Sequence, residues 1–332
     1  MSRPPLAQRA AELAEKVHAL ERGLQRRILG QEALISDLVL GILAGGHLLL
    51  EGLPGLGKTM LVRALARGLG LGFSRVQFTP DLMPSDVTGT QIIEENQGRR
   101  SFRFQKGPIF ASLVLADEIN RATPKTQSAM LEAMQEHSVT VAGTSHAMPE
   151  PFHVVATQNP IELEGTFPLP EAQLDRFLFK LLVSPPDTAA MVSILDGTTG
   201  EGLEEPEAVF DPPEVLELQG LVRTILCGTH LLRFVAELLR ETHPHLSGGE
   251  RTARFVRYGA SARAGQAIVL GAKARALLRG RAAVVEEDIA HCLLPALRHR
   301  VVLGFEAEAE DVGVKELLPE WSERAAKRAA KA

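Results

Sequence analysis

Hydrophobic positions along this chain repeat first at helical spacing, then in short runs. Leu13, Val17, Leu20 and Leu24 recur every three or four residues within an Ala-, Leu-, Glu-, Lys- and Arg-rich stretch over 6–28, which predicts a leading helix. A second helical segment over 31–43 leads into the apolar run His47-Leu48-Leu49-Leu50, and Leu61, Leu65 and Leu69 mark a further helix that Gly70 ends. Apolar stretches then follow at 73–76, 113–116, 152–156 and 179–183, reading as buried strands that alternate with helices. That rhythm predicts an α/β fold: a three-layer αβα core around a parallel sheet.

Two segments interrupt the rhythm and read as hairpins. The first, 91–104, carries β-type residues on both sides of Asn96-Gln97-Gly98; the second, 138–148, turns at Ala142-Gly143-Thr144. Long ordered insertions in a compact core more often touch partners or substrate than decorate it. At Ser184-Pro185-Pro186-Asp187 the composition turns acidic and glycine-rich as far as Asp211-Pro212-Pro213, which reads as a domain junction. Beyond it the pattern is helical, with stripes at Val215, Leu218, Val222 and Ile225, at Leu232, Val235 and Leu239, and at Ile289, Leu293 and Leu297, the last crossed by Pro295. The Arg-, Lys- and Ala-rich end from Arg324 reads as a frayed, solvated tail. The expected organisation is an N-terminal helix (1–28), a core (29–184), a linker (185–213), a helical domain (214–316) and a tail (317–332).

Composition narrows the function classes. A chain of 332 residues accommodates a core and a second domain. One Trp and one Tyr leave few stacking platforms for single strands, and a net charge of -5 argues against attraction to nucleic acid or an anionic membrane. Cys227 and Cys292 form no CxxC; both fall in apolar, helix-like stretches, read as core residues and fit a reducing compartment. Met1-Ser2-Arg3-Pro4-Pro5 lacks an apolar signal region, and no apolar run approaches the roughly 20 residues that span a bilayer. A soluble, cytoplasmic protein is expected, without membrane insertion. His243-Pro244-His245 lacks a ligand set around it and reads as a surface turn.

The chemistry begins at the octapeptide Gly52-Leu53-Pro54-Gly55-Leu56-Gly57-Lys58-Thr59, between a strand and a helix, and these residues with the adjoining Met60 are the candidate nucleotide-binding set. This G-x-x-x-x-G-K-[ST] pattern is a phosphate cradle: glycines permit a tight loop whose N–H groups converge on phosphates, Lys58 neutralises β- and γ-phosphate charge, and Thr59 offers a hydroxyl to Mg2+. Nucleotide binding, with ATP and Mg2+ as cofactors, follows. Leu113-Val114-Leu115-Ala116-Asp117-Glu118 is a buried strand ending in paired carboxylates, the Walker B arrangement: Asp117 holds Mg2+ through its water shell and Glu118 orients and deprotonates the attacking water. A further strand ends at Asn159-Pro160, where a neutral amide suits holding that water against the γ-phosphate, the role called sensor 1.

Taken with these motifs, Phe104–Phe110, Leu115–Arg121, Gln127–Glu136, Gln158–Pro160 and Gly165–Phe177 make most of 30–183 resemble the MoxR family of AAA+ ATPases, within the clade that carries a helix-2 insertion. Gly259–Ala264 and Val285–Ile289 resemble the family's C-terminal all-helical lid. The resemblance implies further roles. Arg176, in Leu174-Asp175-Arg176-Phe177, matches the arginine finger that reaches a neighbouring subunit's γ-phosphate, with Arg121 a second candidate; the alternative for Arg176 is a surface pair with Asp175. Arg263 matches sensor 2, a lid cation acting within its own subunit; Ala262 stands where the family usually has proline, which bears on lid rigidity more than on chemistry. A trans arginine requires a ring, and the family implies a homo-hexamer acting on a protein client, commonly one with a von Willebrand factor A domain. Leu29-Gly30-Gln31 matches the adenine-touching segment, although Gly-Gln before a helix is equally an ordinary capping turn. The implied activity is ATP hydrolysis driving chaperone-like remodelling or maturation. The alternatives are a nucleic-acid motor, for which Arg99-Arg100 near the first hairpin tip is the candidate contact, a non-catalytic scaffold, and a chelatase- or activase-type subunit.

Overall fold

The computed structural model describes residues 6–96, 99–160, 165–200 and 203–331. Helices α1 (Leu6–Arg27) and α2 (Glu32–Leu43) precede β1 (Leu48–Gly52), and α3 (Lys58–Gly68), β2 (Phe73–Gln77) and the short α4 (Pro84–Thr88) follow. The first insertion is a hairpin of β3 (Gly89–Asn96) and β4 (Arg99–Lys106); its expected turn residues Gln97 and Gly98 lie outside the described residues. After β5 (Leu113–Asp117) and α5 (Pro124–Glu136) comes the second hairpin, β6 (Ser138–Val141) with β7 (Thr144–Ala147). β8 (His153–Gln158), α6 (Glu171–Leu174) and β9 (Phe179–Val183) complete the core.

Five strands pair in parallel in the order β2-β5-β8-β1-β9. Because helices cover both faces, the central strands must be apolar on both sides, which is why they read as unbroken runs. Leu48, Leu50, Leu113, Leu115 and Val155 join the core under α1 to α3, while Leu49, Val114, Ala116, Val154 and Ala156 pack with Met130, Leu131 and Met134 of α5. Register sets Glu51 beside Gln158 and Gln77 beside Asp117, so the C-terminal ends of four strands share one edge. Ligands of open parallel sheets bind outside that edge.

The stretch expected as a linker is built structure. Asp187 caps α7 (Thr188–Thr199) by accepting from the Ala190 N–H at 2.8 Å, and Asp211 caps α8 (Pro212–Thr224) through the Glu214 N–H at 2.9 Å. Between them the chain straps across the core: Val209 N–H donates to the Gly68 carbonyl at 2.8 Å, Arg27 reaches the Leu203 carbonyl at 3.1 Å, and Phe210 is buried. Asp and Pro-Pro at 185–187 and 211–213 are helix-start chemistry as much as linker chemistry.

The helical domain continues with α9 (Thr229–Glu241), α10 (Glu250–Phe255), β10 (Val256–Tyr258), α11 (Ala262–Leu278), α12 (Glu286–Leu297), β11 (Val302–Leu303), α13 (Phe305–Ala309) and α14 (Val314–Ala329). Three expectations are corrected here. The inward stripe of α9 is Leu231, Val235 and Leu238, one residue out of phase with Leu232, which is exposed. Cys227 lies in the connection between α8 and α9 and is half-buried; Cys292 is a core residue of α12. The end of the chain is not frayed: α14 docks Trp321, fully buried with its Nε1 donating to Thr252 Oγ1 at 2.8 Å, while Arg324 and Arg328 close on the buried carboxylate of Glu241 at 2.9 and 2.6 Å. Basic residues at helical spacing beside alanines describe a solvated end and a docked helix equally well, and the partner carboxylate lies elsewhere in the chain.

Candidate active site

β1 ends at Gly52, and the loop turns through Gly55 (φ 81°) and Gly57 (φ 74°) before α3 begins at Lys58. Left-handed backbone of this kind is costly for any residue with a Cβ, so these two glycines set the loop's course onto the helix N-terminus. Lys58 Nζ donates to the carbonyls of Gly52 at 2.5 Å and Leu53 at 3.0 Å, which fixes the ammonium over the loop. Burial draws the Lys58 pKa below its ordinary value, against the opposing pull of the Asp117 and Glu118 carboxylates. Leu56 and Met60 anchor the loop and the first helical turn against the core.

At the end of β5, Asp117 is 7% exposed and fully engaged. Its Oδ1 accepts the Thr157 hydroxyl at 2.6 Å; its Oδ2 accepts Thr59 Oγ1 at 3.3 Å and the Nε and Nη2 of Arg75 at 3.0 and 2.7 Å. Glu118 adopts φ 56°, an uncommon conformation for a residue with a side chain, and its N–H donates to Thr157 Oγ1 at 2.8 Å. One threonine on β8 therefore holds both Walker B residues. Glu118 Oε2 accepts Gln77 Nε2 at 2.9 Å and Arg121 Nη1 at 3.0 Å. Asn159 follows β8 directly and is 5% exposed, beyond the strand that separates β5 from β1.

The candidate cations occupy different places. Arg121 is engaged with the Glu118 of its own chain. Arg176 does not pair with Asp175: its Nη1 donates to the Leu131 carbonyl at 2.5 Å, and its Nε is buried without a hydrogen-bonding partner. Arg263 is exposed on the first turn of α11, capped by Ser261, and Ala262 is the first helical residue, where a proline would be preorganised. Gly30 (φ 71°) abuts α7, since a Cβ there would meet the Ala190 Cβ at 2.5 Å, and Gln31 Nε2 donates to the Ser184 carbonyl at 2.7 Å. A cavity of about 530 Å3 opens between Gly30-Gln31, Leu182 at the end of β9, and Leu294 and Arg298 of the helical domain.

Sequence reasoning missed Arg75, Gln77 and Thr157. Each lies on a strand next to β5 or one residue ahead of a recognised motif, and only strand order shows that their side chains meet Asp117 and Glu118.

A phosphate loop after the first of five parallel strands, paired carboxylates two strands away, a polar strand end between them and a C-terminal helical domain define a P-loop ATPase of the AAA+ class. Residues 47–179 match the ATPase family associated with various cellular activities (AAA), and residues 249–321 match the AAA lid domain. Over 309 residues the chain is 43% identical to the chaperone MoxR1 of Mycobacterium tuberculosis, covering 91% of this chain and 81% of that one. It is 34% identical over 300 residues to the protein MoxR of Methylorubrum extorquens, covering 85% and 86%. A crystal structure of a Cytophaga hutchinsonii protein superposes with a TM-score of 0.88 at 37% identity, covering 96% of each chain. The chain belongs to the MoxR family of AAA+ ATPases. Among the described residues no helix is long and apolar enough to cross a membrane.

Proposed function

We propose that this chain is a Mg2+-dependent, ring-forming ATPase of the cytoplasm that remodels or matures a protein client. The observation that carries the reading is the convergence of Lys58, Thr59, Asp117 and Glu118 on one sheet edge, where Thr157 holds both carboxylate residues and Asp117 accepts the Thr59 hydroxyl. Thr59 Oγ1 and Asp117 Oδ2, two hard oxygen donors 3.3 Å apart, suit an ion held largely through water. Thr59 and Asp117 would hold Mg2+ there, and the ion would supply positive charge against the charge that develops on the phosphates. Lys58 then meets the phosphates, Glu118 takes the proton of the attacking water, and Asn159 orients that water.

Arg176 keeps the trans-cation role in a homo-hexamer that its match to the family motif implies, while Arg121, engaged on Glu118, is the weaker candidate. Arg263 serves as the lid cation, and the cavity beside Gly30-Gln31 takes the base. The two hairpins face the client as a unit, because Phe104 of β4 stacks on His146 of β7 with ring centroids 3.9 Å apart. Two residues nearer the tip on the same face, the register partners Ile93 and Phe102 are 64% and 73% exposed. Arg100 and Arg103 are neutralised across the ladder by Glu95 and Glu94, which disfavours phosphate contact.

The test is capture with Glu118→Gln under ATP. This variant should retain nucleotide, lose turnover and hold its client, for which the family suggests a protein with a von Willebrand factor A domain. Unchanged turnover, or retention of DNA alone, would overturn the proposal.

A further inference from the structure

Asp175 stands on the seam between the core and the helical domain, and both its carboxylate oxygens reach across it. Oδ1 accepts Nε of Arg300 at 2.7 Å, and Oδ2 accepts Oγ of Ser261 at 2.9 Å. Arg300, between α12 and β11, is only 8% exposed. Its remaining nitrogens donate to the carbonyls of Asp175 at 3.1 Å, Phe177 at 2.5 Å, Leu178 at 2.9 Å and Ala296 at 2.7 Å. The next residue back, His299, adds a bond from Nε2 to the Phe177 carbonyl at 3.0 Å. A planar guanidinium with every nitrogen engaged has one geometry, and losing it leaves a buried charge exposed to nothing. The backbone of 175–178 is therefore tied to 296–300 of the helical domain.

Arg176 sits inside that clamped segment. On the other side, Ser261 caps α11, accepting the Arg263 N–H at 3.2 Å. Asp175 is thus one peptide bond from Arg176 and one exposed hydrogen bond from the cap of the helix that presents Arg263.

We infer that Asp175 and Arg300 are positioning residues that set how Arg176 is presented to the neighbouring subunit according to where the helical domain stands over its own nucleotide. The buried Arg300 fork is the pivot; the exposed Ser261 bond is the contact that opens and closes. Nucleotide closure in one subunit is thereby coupled to hydrolysis in the next, a free-energy coupling between two sites. The inference rests on the reading of Arg176 as the trans cation.

The full chain tests it. Asp175→Asn should lower kcat on the order of 100-fold, the scale of a small displacement of a catalytic group, with KM and fluorescent-nucleotide affinity within about threefold. Mixing it with Glu118→Gln, which retains nucleotide without turning it over and keeps an intact 175–176 segment, should restore turnover severalfold above the sum of the two alone. Arg176→Ala should be complemented in the same way. Ser261→Ala removes the hydroxyl that both bonds Asp175 and caps α11, keeps the fold if Asp175→Asn does not, and should lower kcat and flatten cooperativity in ATP. If Arg176→Ala is complemented while Asp175→Asn and Ser261→Ala keep wild-type kcat or are not complemented, the coupling is wrong and the trans role of Arg176 stands. If Arg176→Ala keeps full turnover, the trans reading itself falls and the coupling with it.

Discussion

Arg75 and Thr59 share one carboxylate oxygen of Asp117. The Arg75 Nε and Nη2 lie 3.0 and 2.7 Å from Asp117 Oδ2, the atom that also accepts Thr59 Oγ1 at 3.3 Å. The guanidinium is part-exposed and held further by Gln77, so it competes with a cation for the same carboxylate. Replacing Arg75 by Gln should lower the Mg2+ concentration for half-maximal ATPase activity by about three- to tenfold, a shift on the scale of one weakened charge contact. A Mg2+ titration of turnover checks this, and an unchanged or raised requirement would show that Arg75 instead orients Asp117.

Thr157 is fully buried and bridges Asp117 and the Glu118 backbone. Thr157→Val keeps the shape and removes both bonds, leaving a buried carboxylate oxygen and a backbone N–H unmatched. About 1–3 kcal/mol of stability should be lost for the unsatisfied groups, and kcat should fall roughly 10- to 100-fold as the base loses its alignment. Calorimetry and single-turnover hydrolysis separate the two effects.

Acid should unfold the core through its histidines. His47 and His153 are fully buried, and burial pushes their pKa values down to about 3 and about 4 from 6.5. Each ring is also fixed as a neutral tautomer: His47 accepts the Val154 N–H and donates to the Met134 carbonyl, while His153 donates to the Gly46 carbonyl and accepts from Gln219. His299 is held well below its ordinary value by burial and the neighbouring Arg300 charge. Because the folded values lie below the unfolded one, this contribution is complete above pH 6.5 and is lost as pH falls toward the folded values. About 2 kcal/mol per histidine should disappear between pH 7.5 and pH 5. Denaturant midpoints across that range should fall accordingly, and His153→Gln should remove about one proton from the slope.

The exposed Phe102 face of the first hairpin makes a separable prediction. Phe102→Asp, at a side chain 73% exposed, should leave basal ATPase activity within about twofold and abolish its response to client, since a buried aromatic anchor commonly contributes about 2 kcal/mol or more to an interface. Stimulation by client that survives the change would remove this hairpin from the client surface.

Deleting 317–332 should unfold the helical domain rather than trim a tail. Trp321 is fully buried, and loss of such a side chain alone costs about 3–5 kcal/mol; its removal also strands Glu241 without Arg324 and Arg328. Thermal unfolding of the truncated chain is the measurement.

Much of this protein was legible before any fold was drawn. Gly55 and Gly57, Lys58, Thr59, Asp117, Glu118 and Asn159 occupy local positions whose chemistry depends on their immediate neighbours: a tight loop, a helix start, a strand end. Such requirements are written in consecutive residues, and so are the sheet's strands, which are apolar because both faces are covered. The junction and the C-terminal end were misread for the converse reason. Asp187 and Asp211 cap helices, and Arg324 and Arg328 meet a carboxylate more than eighty residues away, so composition gave the residue types without their partners.

By itself, then, the chain determined the phosphate loop, the paired carboxylates, the parallel core and the two hairpins, because each follows from short-range spacing. Tertiary structure decided what those groups touch. Strand order brought Arg75, Gln77 and Thr157 onto Asp117 and Glu118, and domain packing brought Arg300 and Ser261 onto Asp175. Contacts between residues 39 to 125 positions apart leave no periodic trace in sequence, since their geometry exists only once the hydrophobic faces have found each other.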